Sequence, residues 1–188
     1  MLAENPASGA KRQGVIPMSL AAINFKEWID QHRHLLKPPV GNRQIWDNEA
    51  GFFVNVIGGP NARTDYHIDP GAEFFYQLEG AITLRVFEDG RHRDIPIREG
   101  EIFLLPPFVP HSPQRPPGTL GLVIERPRRP DELDGLVWYC DKCRAELHKV
   151  DFYLSDFTLF SRNIEKFYAD EAARTCKHCG AVMARPDA

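Results

Sequence analysis

Between residues 44 and 126 the chain is cut into seven short runs, each closed by turn residues: QIWDN, FFVNVIGG, EFFYQLEG, AITLRVFEDG, RDIPIREG, EIFLLPP and LGLVIERP. Many alternate apolar and polar residues, the period-two pattern of a strand with one buried face. EDGR, after AITLRVF, carries the Asp-Gly pair that favours a tight hairpin. Strands this short, punctuated this regularly, bury their apolar faces against a second sheet or within a sheet closed on itself. The pattern therefore predicts a mainly β fold, a sandwich or barrel of jelly-roll type.

Upstream, NFKEWIDQHRHLL (24–36) sets Phe25, Trp28, Ile29 and Leu36 near helical spacing, with Asn24 as N-cap and KPPVG as the stop. Residues 1–18 are polar and rich in small side chains and are expected to form a disordered extension, with Met18 as an alternative start. They lack the apolar stretch of a secretory signal, and no apolar run approaches the roughly 20 residues that span a bilayer. A cytoplasmic protein without a membrane partner is expected. A length of 188 residues suffices for one core and a small appendage. We expect a barrel with its N-terminal helix over 19–130 and a C-terminal segment over 131–188. A net charge of −3 without a long basic run argues against a nucleic-acid partner.

The C-terminal segment holds all four cysteines, as Cys140-x-x-Cys143 and Cys176-x-x-Cys179. In a reducing compartment disulfides are the poorer reading, and four thiolates suit one tetrahedral metal, zinc or iron. Redox-active dithiols are the alternative. Around the two knuckles lie a short strand, LVWYC, and a helix-like NIEKFYADEAAR. A segment this small is expected to use its metal in place of a core.

Two stretches concentrate the remaining chemistry, RTDYHIDPGAEFFYQLEG (63–80) and GEIFLLPPFVPHSPQR (100–115). Inward side chains of neighbouring barrel strands can meet at the centre. His67 and Asp69 share a strand face, Glu73 follows the DPGA turn, and His111 is expected at the end of another strand. Either histidine alone reads as a hydrogen-bonded structural residue. Together, two imidazoles and a carboxylate form the ligand set of non-heme Fe(II) oxygenases, which leaves coordination positions open. Arg63 stands four residues before His67, and Arg115 four residues after His111, so both can flank the pocket mouth or be merely solvated. Glu125, at the inward end of the strand in LVIER, is either a proton acceptor beside the metal or the partner of a neighbour such as Arg126. Asp69 is expected to orient a ligand histidine or Arg63. Asn42, after Gly41, reads as a turn residue.

HIDPGAE, followed by six residues and Gly80, resembles the first cupin motif, with Asp69 where many cupins carry a second histidine. GEIFLLPPFVPH resembles the second, with Gly100, Pro106 and His111 in place. It departs from the pattern with Arg115 at a common amide position and Phe108 at a usual glycine. The missing histidine leaves three protein ligands and favours chelation of a substrate. HLLKPPVGNRQ, GGPNARTDYH, EFFYQLEG, FLLPPFVPHSPQRP and LVIERPR, followed by the two knuckles, are similar to the bacterial 3-hydroxyanthranilate 3,4-dioxygenases over about residues 24–180.

That resemblance implies a cupin that opens the ring of 3-hydroxyanthranilate with dioxygen. One Fe(II), on His67, Glu73 and His111, would be the catalytic metal, with Glu73 also facing the substrate. The product, 2-amino-3-carboxymuconate semialdehyde, cyclises to quinolinate, a link between tryptophan breakdown and NAD synthesis. The resemblance puts Arg63 and Arg115 on the substrate carboxylate and Asn42 close to substrate and dioxygen. Glu125 would take a proton from, or hydrogen-bond to, the chelating groups. Cys140, Cys143, Cys176 and Cys179 would form a rubredoxin-like structural iron site, and the chain would be a homodimer. A rival reading is a metal-binding cupin that binds or isomerises another small acid. A zinc ribbon that binds nucleic acid is disfavoured by the absence of a dense basic patch around WYCDKCRAELHK.

Overall fold

The computed structural model describes residues 21–37, 41–46, 51–155 and 158–185. Helix α1 (Phe25–His32) begins where the sequence places it, with the Asn24 side chain accepting from the Glu27 backbone N–H at 3.2 Å. This satisfies one donor that a first helical turn leaves unpaired. A 3₁₀ turn, Arg33–Leu35, continues it. Trp28, Ile29 and Leu36 are buried together with Ile45, Val56 and Leu120, so the apolar stripe of the helix lies on the sheet that follows. The N-terminal extension and the Pro38-Pro39 stop lie outside the described residues.

Twelve strands follow among the described residues: β1 (Asn42–Gln44), β2 (Phe53–Gly58), β3 (Asn61–Ala62), β4 (Tyr66–Ile68), β5 (Glu73–Glu79), β6 (Ile82–Glu88), β7 (Arg91–Ile97), β8 (Ile102–Leu105), β9 (His111–Arg115), β10 (Leu120–Glu125), β11 (Asp134–Tyr139) and β12 (Glu146–Phe152). They form two antiparallel sheets. One runs β1-β2-β10-β5-β8; the other runs β12-β11-β4-β9-β6-β7, with β3 on β9. Phe75, Leu105 and Val123 of the first sheet meet Ile82, Leu84, Val86 and Ile97 of the second in the core between them. This is the jelly roll that the punctuated strands predict. The hairpin forms as expected. Asp89 and Gly90 take φ of 50° and 72°, and Glu88 pairs with Arg91.

Three expectations shift. Of the described residues of QIWDN, Gln44 alone joins a named strand, which begins at Asn42. His111 opens β9 instead of ending a strand, because PPFVP turns the chain before it. The helical stretch near 163–174 is two helices, α2 (Thr158–Ala169) and α3 (Glu171–Arg174). Asp170 separates them: its side chain accepts from the backbone of Ala172 and Ala173 and so restarts the helix as an N-cap.

The C-terminal segment is joined to the barrel through its sheet. β11 pairs with β4, Leu136 opposite His67, and β12 extends the sheet outward. It also buries a core of its own, Leu136, Trp138, Phe167, Tyr168 and Met183, with Trp138 and Phe167 stacked at 4.2 Å. The expectation that metal would stand in for a core is corrected here: the sheet supplies a face for α2 to cover.

Candidate metal centre and cavity

β4, β5 and β9 bring His67, Glu73 and His111 together. The two histidines face each other across the β4–β9 pair, while Glu73 comes from the opposite sheet. All three are buried. Glu73 Oε1 lies 2.9 Å from His111 Nε2 and 3.7 Å from His67 Nδ1. The remaining ring nitrogens are held from outside. His111 Nδ1 lies 3.0 Å from the Val109 carbonyl, and His67 Nε2 lies 2.8 Å from Asp134 Oδ1. Both can only accept, so those nitrogens keep their protons, and each ring on giving up its other proton turns a lone pair toward Glu73.

Burial alone would raise the Glu73 carboxyl, but the neighbouring His111, His67 and Arg128 outweigh it and hold the carboxyl at about 2. Burial lowers His67 below its ordinary value despite its hydrogen bond to Asp134. Among the described residues Glu73 Oε1 makes no well-directed hydrogen bond. A buried anionic oxygen between two imidazole lone pairs asks for a cation, and this donor set fits a non-heme Fe(II).

His67, Asp69 and Asp134 form a second convergence of the same kind. A guanidinium already occupies it. Arg128 donates from Nη2 to Asp69 Oδ2 (2.7 Å) and Asp134 Oδ1 (2.6 Å), from Nε to Asp134 Oδ2 (2.9 Å), and from Nη1 to Glu125 Oε2 (2.5 Å). The orienting role expected of Asp69 therefore falls to Asp134. Asp69 accepts from Arg128 and from the Gly71 N–H (2.6 Å), not from His67 or Arg63. Burial, with the Glu125 carboxyl beside it, pushes Asp69 up to about 9. Arg126, the alternative partner for Glu125, instead pairs with Glu132.

Beside the cluster opens a cavity of about 170 Å³, lined among others by Asn42, Arg63, Arg115, Glu125, Phe75 and Phe160. Every pocket residue expected from the sequence lies on it except Asp69. Arg115, 3% exposed, has no hydrogen-bond or ion-pair partner among the described residues, and burial lowers its guanidinium to about 10. Gly121 makes room for it. A Cβ there would stand 2.7 Å from Arg115 Nη1 and 3.0 Å from Gln77 Oε1. Arg63 differs, because Asp65 takes its Nε and Nη2 and leaves Nη1 for a ligand. Asn42 is exposed, at the rim.

The four cysteines converge as the spacing predicts. Sγ–Sγ distances are 3.6 Å for Cys140–Cys179 and 3.5 Å for Cys143–Cys176. Metal–sulfur bonds of about 2.3 Å in a tetrahedron put sulfurs about 3.8 Å apart. The two knuckles are built alike. Arg144 N–H donates to the Cys140 carbonyl and Gly180 N–H to the Cys176 carbonyl, each at 2.8 Å, with φ of 65° and 74°.

Sequence reasoning missed Asp65, Arg128, Asp134 and Phe160. The last comes from α2, and its ring meets that of His67 edge-on at 4.9 Å. The one signal in the sequence was the charge density of RPRRPDELDG, which reads as a polar linker.

Jelly roll, cupin motifs and a His–Glu–His cluster at a cavity define a cupin with a candidate metal centre. The model of the 3-hydroxyanthranilic acid dioxygenase family matches residues 18–168. A 3-hydroxyanthranilate 3,4-dioxygenase of Xanthomonas campestris pv. campestris is 55% identical over 171 residues, covering 90% of this chain and 96% of that protein. Proteins of the same name from Ruegeria pomeroyi and Shewanella woodyi are 53% and 56% identical over 166 residues, each covering 87% of this chain and 91% and 87% of theirs. Among solved structures, a cupin-2 domain containing protein from Shewanella frigidimarina aligns with a TM-score of 0.43 at 21% identity, over 56% of this chain and 94% of that one. The chain belongs to the 3-hydroxyanthranilic acid dioxygenase family.

Proposed function

We propose that this protein is a 3-hydroxyanthranilate 3,4-dioxygenase that converts its substrate and dioxygen to 2-amino-3-carboxymuconate semialdehyde. Beside the family membership, the observation that carries this reading is Arg115, a buried cation without a partner among the described residues, on a cavity whose other wall is the His67–Glu73–His111 cluster. A buried unpaired guanidinium is costly and suits a cavity that receives a carboxylate.

His67, Glu73 and His111 would hold Fe(II), which supplies open coordination positions and a redox couple for the reaction of an aromatic ring with dioxygen. Arg115 binds the substrate carboxylate, with Arg63 Nη1 as a second donor. Those contacts fix which edge of the ring faces the cluster. Glu125 accepts the proton that the substrate hydroxyl loses on binding, while Asn42 borders substrate and dioxygen at the rim. Phe75 and Phe160 give the cavity apolar walls that exclude water from the reacting ring. The four-cysteine site would hold iron or zinc and brace the C-terminal segment. Ile102 and Leu104, 66% and 64% exposed on the edge strand β8, offer an apolar face for a homodimer.

The test is oxygen uptake by anaerobically purified, Fe(II)-loaded protein on adding 3-hydroxyanthranilate. One dioxygen consumed per substrate, lost in His67→Ala, supports the proposal. No uptake with iron bound at the barrel overturns it in favour of a cupin acting on another small acid.

A further inference from the structure

The Arg128 side chain is 4% exposed, and all three of its guanidinium nitrogens are engaged with carboxyl groups. It sits on the connection that leaves β10 after Glu125 and enters β11 at Asp134. These strands belong to different sheets. One planar group thus joins Glu125, at the end of the first sheet, to Asp134, at the start of the second. Asp134 is completely buried, and its Oδ1 lies 2.8 Å from His67 Nε2. The chain of contacts runs from a cavity carboxylate to a candidate ligand imidazole through a single cation.

We propose that Arg128 is a positioning residue that holds the proton acceptor Glu125 and the ligand His67 in one fixed geometry, acting on His67 through Asp134. The part concerning Glu125 rests on the function proposed above; the part concerning His67 does not. Three carboxylates at different angles need the rigid fork of a guanidinium, which a lysine point charge cannot reproduce. Without it Asp134 loses its second partner and can turn away from His67, and Glu125 loses the donor that fixes its rotamer. Partners behind metal-bound histidines typically matter about 10–100-fold for metal affinity or activity.

The experiment compares wild type, Arg128→Lys and Arg128→Met, with the four-cysteine site loaded in each. Anaerobic Fe(II) titration against a competing chelator reads the barrel site. Steady-state kinetics with 3-hydroxyanthranilate read kcat per bound iron and KM. Barrel affinity should weaken about 10-fold or more in Arg128→Met and only partly recover in Arg128→Lys. kcat should fall in parallel while KM, set by Arg115, changes less than about threefold. Loss of kcat should be non-additive with Glu125→Gln in a double-mutant cycle. A residue needed only for folding would lower the fraction of folded chains and leave affinity and kcat of the rest unchanged; that result overturns the proposal. So does additivity with Glu125→Gln. If Arg128→Met fails to fold, Arg128→Lys decides: wild-type affinity and kcat there refute the need for a fork. If wild type shows no turnover, the functional reading fails on its own, and the affinity comparison still decides the His67 half.

Discussion

Arg115→Met should weaken substrate binding and, in the substrate-free protein, raise stability. The guanidinium is 3% exposed and unpaired, and burial holds it at about 10 against an ordinary 12.5, with Glu73 as the only opposing influence. A displacement of about two and a half decades corresponds to about 3 kcal/mol, at about 1.36 kcal/mol per decade. At pH 7 the group is charged in folded and unfolded chains alike, so the whole of that penalty falls on the native state. Between about 10 and 12.5 the unfolded chain binds the extra proton, so wild-type stability rises with pH across that window. The advantage of the variant is therefore full at neutral pH and shrinks above about 10. Methionine fills much of the same volume without charge, and after imperfect packing a gain of about 1–2 kcal/mol should remain. Urea unfolding of both proteins without substrate at pH 7 measures it. KM for 3-hydroxyanthranilate should rise about 10–100-fold, since a hydrogen bond to a charged group is worth about 1.5–3 kcal/mol. A variant less stable than wild type by more than about 1 kcal/mol would refute the reasoning, and so would an unchanged KM.

Gly121→Ala places a Cβ 2.7 Å from Arg115 Nη1, the movable end of a flexible side chain. Stability should change by less than about 1 kcal/mol while KM rises about 10-fold, the mark of a displaced guanidinium. Cys140→Ser should remove one metal per chain, leave the barrel metal in place and lower Tm by about 10 °C, as read by metal analysis and thermal unfolding. Phe108, 64% exposed with φ of 63°, sits at the backbone position where glycine is usual. Phe108→Gly should gain about 0.5–1 kcal/mol in urea unfolding, the relief of a left-handed L-residue less the added freedom of the unfolded chain.

The residues that the sequence announced are those whose signal is local. Asn24 caps its helix through an N–H three residues away, Asp89-Gly90 closes a hairpin on itself, and each cysteine lies three residues from its partner in a knuckle. His67, Glu73 and His111 were readable because strand period and motif spacing both point them inward. Arg128, Asp134 and Phe160 gave no such sign. RPRRPDELDG has the composition of an exposed linker, and only tertiary packing determines that Asp134 is completely buried while Arg129, five residues earlier, is exposed. The exchange of Asp69 for Asp134 behind His67 has the same origin. Asp69 is near in sequence, but β11 runs beside β4 and delivers a closer carboxylate.

That strand pairing also bears on modularity. By sequence, residue 130 is an inviting place to cut, with a cupin before it and a cysteine-rich tail after it. A chain ending there would lack Asp134, the Phe160 wall and the strand on which β4 leans, while keeping every motif by which a cupin is recognised. Such a fragment should be a cupin in name with His67 unsupported. In this chain the barrel and the tail are therefore one structural unit, joined through the β4–β11 pair.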